Sequence, residues 1–266
     1  MGLIMDSMIG FGRDFKVEDG VLMKYTGNDT EVTIPDGVTS IGESAFENCE
    51  RLTSIMLPDS VTSIDYMAFC QGKSFGFHYR TTNNMTSIDY NVFHDCRNLK
   101  EIKINKNNNT CCDVDGVLFS KDKKILVAYP AGREGSYSIP EGVTNIGDNA
   151  FYDCERLTSI NIPDSVVSIG IFAFWDCTWL TRINIPDRVK SIGDNAFGLC
   201  THLRRINIPD SVTSIGDSAF NGCRNLKEIK ITIHIVIWTE YFSARIKKHL
   251  LYVRQVEREV ILYQRV

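Results

Sequence analysis

The chain has 266 residues, 43 % of them hydrophobic and 23 % charged, and its net charge is −4. That apolar content suffices for a folded core and excludes a charge-rich disordered chain. The mildly acidic balance gives no reason to expect nucleic acid as a partner. No apolar run approaches the roughly 18 residues of a membrane-spanning helix.

Residues 1–33 read as an N-terminal segment and a capping hairpin. The opening MGLIMDSMIGFGRDF has Asp6 where an export signal carries basic residues, so the sequence alone predicts no signal or anchor and a cytoplasmic chain. Residues 15–34 alternate apolar and polar around Gly20 and Gly27, which predicts a hairpin. Three repeats follow at 34–56, 57–80 and 81–104. The second loses its Leu-x-x-Ile in the irregular stretch 70–84. Residues 105–138 break the period, and apolar runs at Gly116–Ser120 and Ile125–Tyr129 around Lys121–Lys124 predict an inserted hairpin. Four regular repeats occupy 139–230, so a solenoid of seven coils is expected over 34–230. In 231–266, ITIHIVIW alternates like a strand. Ser243 then precedes Ile246, Leu250, Val253, Val256, Val260 and Tyr263 at threes and fours, which predicts a capping helix with a basic face of Arg245, Lys247, Lys248, Arg254 and Arg258.

The regular repeats share a period of 23 residues, marked by Pro140, Pro163, Pro186 and Pro209, by Phe151, Phe174, Phe197 and Phe220, and by Cys154, Cys177, Cys200 and Cys223. A fixed period of this size is the mark of a solenoid. The closing Leu-x-x-Ile-x-Ile has period two and predicts a short strand, stacked on its neighbours as a parallel sheet about 4.8 Å apart. Pro follows the last Ile and ends the strand, because it cannot donate to a ladder. The glycines after Ser-Ile or Asn-Ile (Gly42, Gly147, Gly170, Gly193, Gly216) are expected at positive φ, with Asp65 and Asp89 in the same slot. Ala-Phe is expected to open one turn of α or 3₁₀ helix.

The string Leu-x-x-Ile-x-Ile-Pro-x-x-Val-x-x-Ile-Gly-x-x-Ala-Phe-x-x-Cys resembles the leucine-rich repeat, specifically its BspA-like subclass, over roughly residues 15–230. The resemblance implies a leucine-rich repeat solenoid, mostly β, with a parallel sheet on its concave face. It also implies a non-catalytic binding module of bacteria and some protists. Relatives of this kind are typically adhesins or surface proteins that contact host extracellular-matrix proteins, so the resemblance implies cell-surface or secreted placement. An intracellular scaffold of the same fold, without an adhesion role, is the alternative reading.

Six of the nine cysteines (Cys49, Cys96, Cys154, Cys177, Cys200, Cys223) share one inward slot, and the total is odd, so free structural thiols are expected. Cys111 and Cys112 are expected to be the exposed, faster-reacting pair. Asp113-Val114-Asp115-Gly116 resembles part of an EF-hand loop, but its register puts Cys111 at the first ligand, and a hairpin turn is the expectation. Cys96 with His94 and Cys200 with His202 suggest a thiol–imidazole pair, against which stands the buried slot of those cysteines. Carboxylates at Asp36, Asp59, Glu141, Asp164, Asp187 and Asp210 recur with the coil and serve its geometry. No catalytic residue, cofactor or metal is expected.

What remains is the strand face. Ser159 and Asn161, Arg182 and Asn184, Arg205 and Asn207, Glu228 and Lys230 flank inward isoleucines and are expected to point outward, with Arg204 alongside. Arginine and asparagine repeated on a stiff sheet suit recognition of a protein or glycan surface. A monomer is expected.

Overall fold

The structure, a computed structural model, describes residues 12–65, 68–69, 93, 96–232, 250–256 and 259–264. It is a stack of coils with strands on two sides. Long strands occupy one side: β3 (Glu31–Thr33), β5 (Ser54–Leu57), β7 (Glu101–Ile104), β11 (Gly135–Ser138), β13 (Leu157–Asn161), β15 (Arg182–Asn184), β17 (Arg205–Ile208) and β19 (Glu228–Thr232). The other side carries two-residue strands: β4 (Ser40–Ile41), β6 (Ser63–Ile64), β12 (Asn145–Ile146), β14 (Ser168–Ile169), β16 (Ser191–Ile192) and β18 (Ser214–Ile215). Neighbours pair in parallel at the sequence period, Ile183 with Ile206 and Ser168 with Ser191. The long strands form a three-stranded parallel sheet, β3-β5-β7, and a second sheet in which β11 to β19 run parallel.

Among the described residues of 57–104, read above as two repeats, β7 is the one long strand after β5. β7 pairs directly with β5, Ile102 opposite Ile55. The irregular stretch 70–84 lies outside the described residues. With β3 included, eight long strands stack among the described residues, where seven coils were expected.

Two local expectations fail for one reason. The Ala-Phe segments form turns, and no helix occurs among the described residues. Their amides bond to the next coil: Asn149 N–H to Ile171 O (2.9 Å), Phe151 N–H to Ala173 O (2.8 Å) and Asp153 N–H to Trp175 O (2.9 Å). Left-handed φ at Asn149 and Asp153, and at the matching Asn195 and Leu199, turns these amides toward the neighbour. The left-handed residue is therefore two positions beyond the expected glycine. None of Gly42, Gly147, Gly170, Gly193, Gly216 or Asp65 has positive φ, and Asp89 lies outside the described residues. Glycine is required there by proximity. A Cβ on Gly193 would lie 2.5 Å from Gly170 C and from Ile171 N.

Inside each coil one phenylalanine fills the centre, and the rings stack: Phe151 on Phe174 at 4.8 Å, Phe174 on Phe197 at 5.3 Å and Phe197 on Phe220 at 5.5 Å. Cys154, Cys177, Cys200 and Cys223 are buried beside them, and the eight described cysteines are free thiols. Cys177 donates to Phe151 O at 3.1 Å, Cys200 to Phe174 O at 3.1 Å and Cys223 to Phe197 O at 2.9 Å. Burial pushes the thiols of Cys177 and Cys200 well above the usual range.

The inserted hairpin is present, as β9 (Val117–Ser120) and β10 (Ile125–Ala128), with β8 (Cys111–Val114) antiparallel to β9. It is a partition. Val117, Phe119, Leu126 and Tyr129 face the core of residues 117–229, while Cys111, Leu118, Val127 and Ala128 face that of residues 22–128. Cys111 is buried and Cys112 half-buried, and burial raises both thiols, so the exposed reactive pair expected there is not found. Buried Asn108 fastens the partition. Its amide donates to Val61 O (2.8 Å), and its Oδ1 accepts from Thr110 N–H (2.9 Å) and Cys111 N–H (3.1 Å).

An N-terminal hairpin, β1 (Phe15–Glu18) and β2 (Val21–Tyr25), covers the first coil, and β2 runs parallel to β4. At the other end the expected helix is replaced by strands. β20 (Leu250–Val256) and β21 (Glu259–Gln264) form an antiparallel hairpin, and β21 pairs antiparallel with β19. A strand edge left open by β19 offers backbone partners over its whole length, which a docked helix would leave unsatisfied. The strand read in ITIHIVIW lies largely outside the described residues, as does Ser243.

Candidate functional site

The candidate site is the long-strand side of β13 to β19. Ile160, Ile183, Ile206 and Ile229 are buried, so their neighbours along the strand face water by the two-residue alternation. Two columns result. One runs Ser159, Arg182, Arg205, Glu228; the other runs Asn161, Asn184, Asn207, Lys230. Ser159 pairs with Arg182, Asn184 with Asn207, Arg205 with Glu228 and Asn207 with Lys230. Asn161, Arg182, Asn184, Arg204, Arg205 and Asn207 are exposed, and Ser159, Glu228 and Lys230 are half-buried. Eight of the nine residues read as a face from the sequence therefore lie on consecutive strands, and Arg204 lies just before β17.

Charge is uneven along this side. Farther toward the N-terminus, Glu101 and Lys103 of β7 pair at 2.6 Å, which holds the Glu101 carboxyl below its usual range. Here Arg182 and Arg205 occupy adjacent strands, about 4.8 Å apart, so two like charges are held side by side. Arg205 Nε meets Glu228 Oε2 at 3.4 Å while 80 % of its side chain stays exposed, and Arg182 has no ion pair among the described residues. Arg204 adds a third cation, its carbonyl accepting Lys227 N–H at 2.9 Å.

The other sequence candidates have structural employment. Asp113 Oδ1 accepts Ile104 N–H at 2.8 Å, and among the described residues no group of three or more His, Cys, Asp or Glu is placed to hold a metal ion. Cys200 donates to Phe174 O, whereas His202 Nδ1 faces Thr178 O at 2.7 Å, so the two do not form a nucleophilic pair. His94 lies outside the described residues. One feature escaped the repeat-average reading. Trp179 is 55 % exposed, and its ring lies flat on His202, with centroids 4.6 Å apart and planes 8° apart. The signal was present in IFAFWDCTWL, where one repeat puts Phe172, Trp175 and Trp179 in slots that its neighbours fill with polar or small residues.

A parallel solenoid with one strand face and a phenylalanine column defines a leucine-rich repeat interaction module. The chain belongs to the BspA-type leucine-rich repeat family, whose model matches it in six copies over residues 19–116 and 134–247. Among solved structures it is similar to the pneumococcal vaccine antigen PcpA, with 25 % identity and a TM-score of 0.58, over 76 % of this chain and 50 % of that one. It is also similar to a leucine-rich repeat protein from Eubacterium ventriosum (25 % identity, TM-score 0.48, 79 % of this chain and 71 % of that one). A third is a leucine-rich cell surface protein from Faecalibacterium prausnitzii (23 %, 0.47, 82 % and 93 %). The chain spans half the length of the pneumococcal chain. No curated protein matches it. Among the described residues, no helix is long and apolar enough to cross a membrane.

Proposed function

We propose that the chain is a non-catalytic, adhesion-type binding module that holds a macromolecular partner, a protein or glycan of another cell surface, on the long-strand face of β13 to β19. The observation that carries this reading is the adjacent pair Arg182 and Arg205, in which Arg182 has no ion pair among the described residues and Arg205 has a 3.4 Å contact to Glu228, flanked by the Asn184–Asn207 pair. Such a pair gains little for the isolated fold. A partner that brings acceptors or carboxylates satisfies both guanidinium forks at once. The backbone beneath is bonded on both sides, so the donors are presented at fixed spacing with little ordering left to complete on binding. Likeness to a vaccine antigen is in keeping with display at a bacterial surface.

Replacing Arg182 and Arg205 together by Glu tests it. The melting transition is expected to stay within about 0.5 kcal/mol of wild type, because exposed charges contribute little to stability. Capture of partners by the immobilised chain is expected to weaken by at least about tenfold, since arginines at a contact centre often dominate. Retention of every wild-type partner by the double variant overturns the assignment.

A further inference from the structure

We propose that Trp179, backed by His202, is a sugar-stacking platform at the margin of the long-strand face, and that its ligand is a carbohydrate with one pyranose ring laid on the indole. Trp179 occupies the slot two residues after the ladder cysteine. The other coils fill it with Arg51, Asn98, Arg156, His202 and Asn225. Two of these show what the fold needs there, a donor to the preceding coil. Asn98 donates to Glu50 O at 2.7 Å and Asn225 to Thr201 O at 2.7 Å. His202 meets the same need through Nδ1, facing Thr178 O at 2.7 Å, so Nδ1 carries the proton. An indole ring does nothing of the kind. Only its backbone N–H reaches back, to Glu155 O at 3.2 Å.

Three observations make the ring a platform. It is fixed, because it lies parallel on an imidazole that is itself held by a hydrogen bond. Its other face is not taken by the neighbouring cation: Arg156, one coil back in the same slot, pairs with Glu134 at 2.7 Å, and no guanidinium stacks on Trp179 among the described residues. Its surroundings are polar. Glu155, Thr178, Thr181, Thr201 and Arg204 fill the adjoining slots in its own and the neighbouring coils, and all of them reach the surface. A protein anchor residue sits in a patch whose centre is apolar and whose rim excludes water. Thr178, Thr181 and Thr201 donate to backbone carbonyls and Glu155 pairs with Arg97 at 2.8 Å, so the groups in the adjoining slots are held in place. A single flat aromatic ring with such polar neighbours fits a ligand that offers C–H groups on one face and hydroxyls around its edge, which is the chemistry of a pyranose. An indole serves such a ligand well, because it gives large apolar contact at low rotamer cost.

Trp179 is not one of the residues of the Arg182–Arg205 pair, so each reading fails or stands on its own variant. The test uses the full chain, a broad glycan array, and titration in solution with neutral β-linked oligosaccharides and with uronate-bearing ones. The two arms distinguish a neutral sugar from an acidic one. At least one probe is expected to bind and to shift tryptophan emission. Trp179→Ala is expected to weaken that binding about tenfold or more with an unchanged melting transition, Trp179→Tyr to retain most of it, and Arg182→Glu with Arg205→Glu to leave a neutral probe bound. No binding of any probe by the wild type overturns the proposal, and so does equal binding by Trp179→Ala. Loss of a captured protein partner by Trp179→Ala, with no sugar bound by the wild type, also overturns it and identifies the ring as a protein contact.

Discussion

The hairpins β1–β2 and β9–β10 are built alike. In each, the second strand turns parallel to a two-residue strand, Leu22 opposite Ile41 and Leu126 opposite Ile146. Each ends on a tyrosine whose N–H donates to the first Ala of the array, Tyr25 to Ala45 O and Tyr129 to Ala150 O, both at 2.8 Å or less. Each tyrosine ring then packs on the first phenylalanine, Tyr25 on Phe46 at 5.2 Å and Tyr129 on Phe151 at 5.0 Å. They differ in what lies behind. Met23 is 45 % exposed and Lys24 half-buried, whereas the matching Val127 and Ala128 are buried against the preceding coils. Two consecutive side chains thus separate a terminal cap from an internal partition made on the same plan. The internal hairpin is better described as a second start than as an interruption.

The largest expected effect comes from the ring that only the partition buries. Phe119→Ala is expected to cost about 3–5 kcal/mol in urea melts, because it opens a cavity between two packed cores. Phe15→Ala in β1 is expected to cost no more than about 2 kcal/mol, since that ring already meets water on one side. Equal losses would break the distinction between cap and partition.

A smaller effect separates the arrays themselves. Gly193→Ala drives a Cβ into Gly170 and Ile171 backbone and is expected to cost about 1–3 kcal/mol. At Gly42, over the first hairpin, the nearest atom is Leu22 O at 3.2 Å, and Asp65 fills the same slot one coil on. Gly42→Ala is therefore expected to cost under about 1 kcal/mol. A reversed order in the same melts would show the N-terminal coils to be the tighter stack.

The smallest effect distinguishes the two tyrosines. Both are pushed up to about 12, chiefly by burial, and Tyr25 also by its 2.6 Å bond to Asp29. The fold favours the neutral phenol, so the stability these groups give is whole below about pH 10 and is lost as pH rises toward 12. In ultraviolet titration, Asp29→Asn is expected to bring one late phenol earlier and to leave Tyr129 where it is. Movement of both, or of neither, removes Asp29 from the account.

The solenoid was legible because its determinants are local and repeated. Phe174 and Cys177 can be placed by counting 23 residues, and so can the outward Arg182 and Asn184. The C-terminal hairpin was not legible in that way. Leu250, Val253, Val256, Val260 and Tyr263 continue a helical spacing from Ile246, but the edge of β19 decides the state of residues 250–264, and no local pattern reports an edge. The turn amides were misread for the same reason, since their acceptors lie one coil away. Trp179 was missed for a different one. Averaging over repeats shows what every coil needs and hides what one coil has and the others lack.

The thiol column has a further consequence. Three ladder cysteines donate to a backbone carbonyl of the coil before them: Cys177 to Phe151, Cys200 to Phe174 and Cys223 to Phe197. The stack therefore has a grain. A coil laid on the C-terminal side finds a carbonyl already waiting for its sulfur, while the first coil of a series needs one from elsewhere. Cys154 has Tyr129 O at 3.8 Å, from the partition hairpin. Length can thus be dialled in whole coils on the growing side, provided each series keeps its own template at the head.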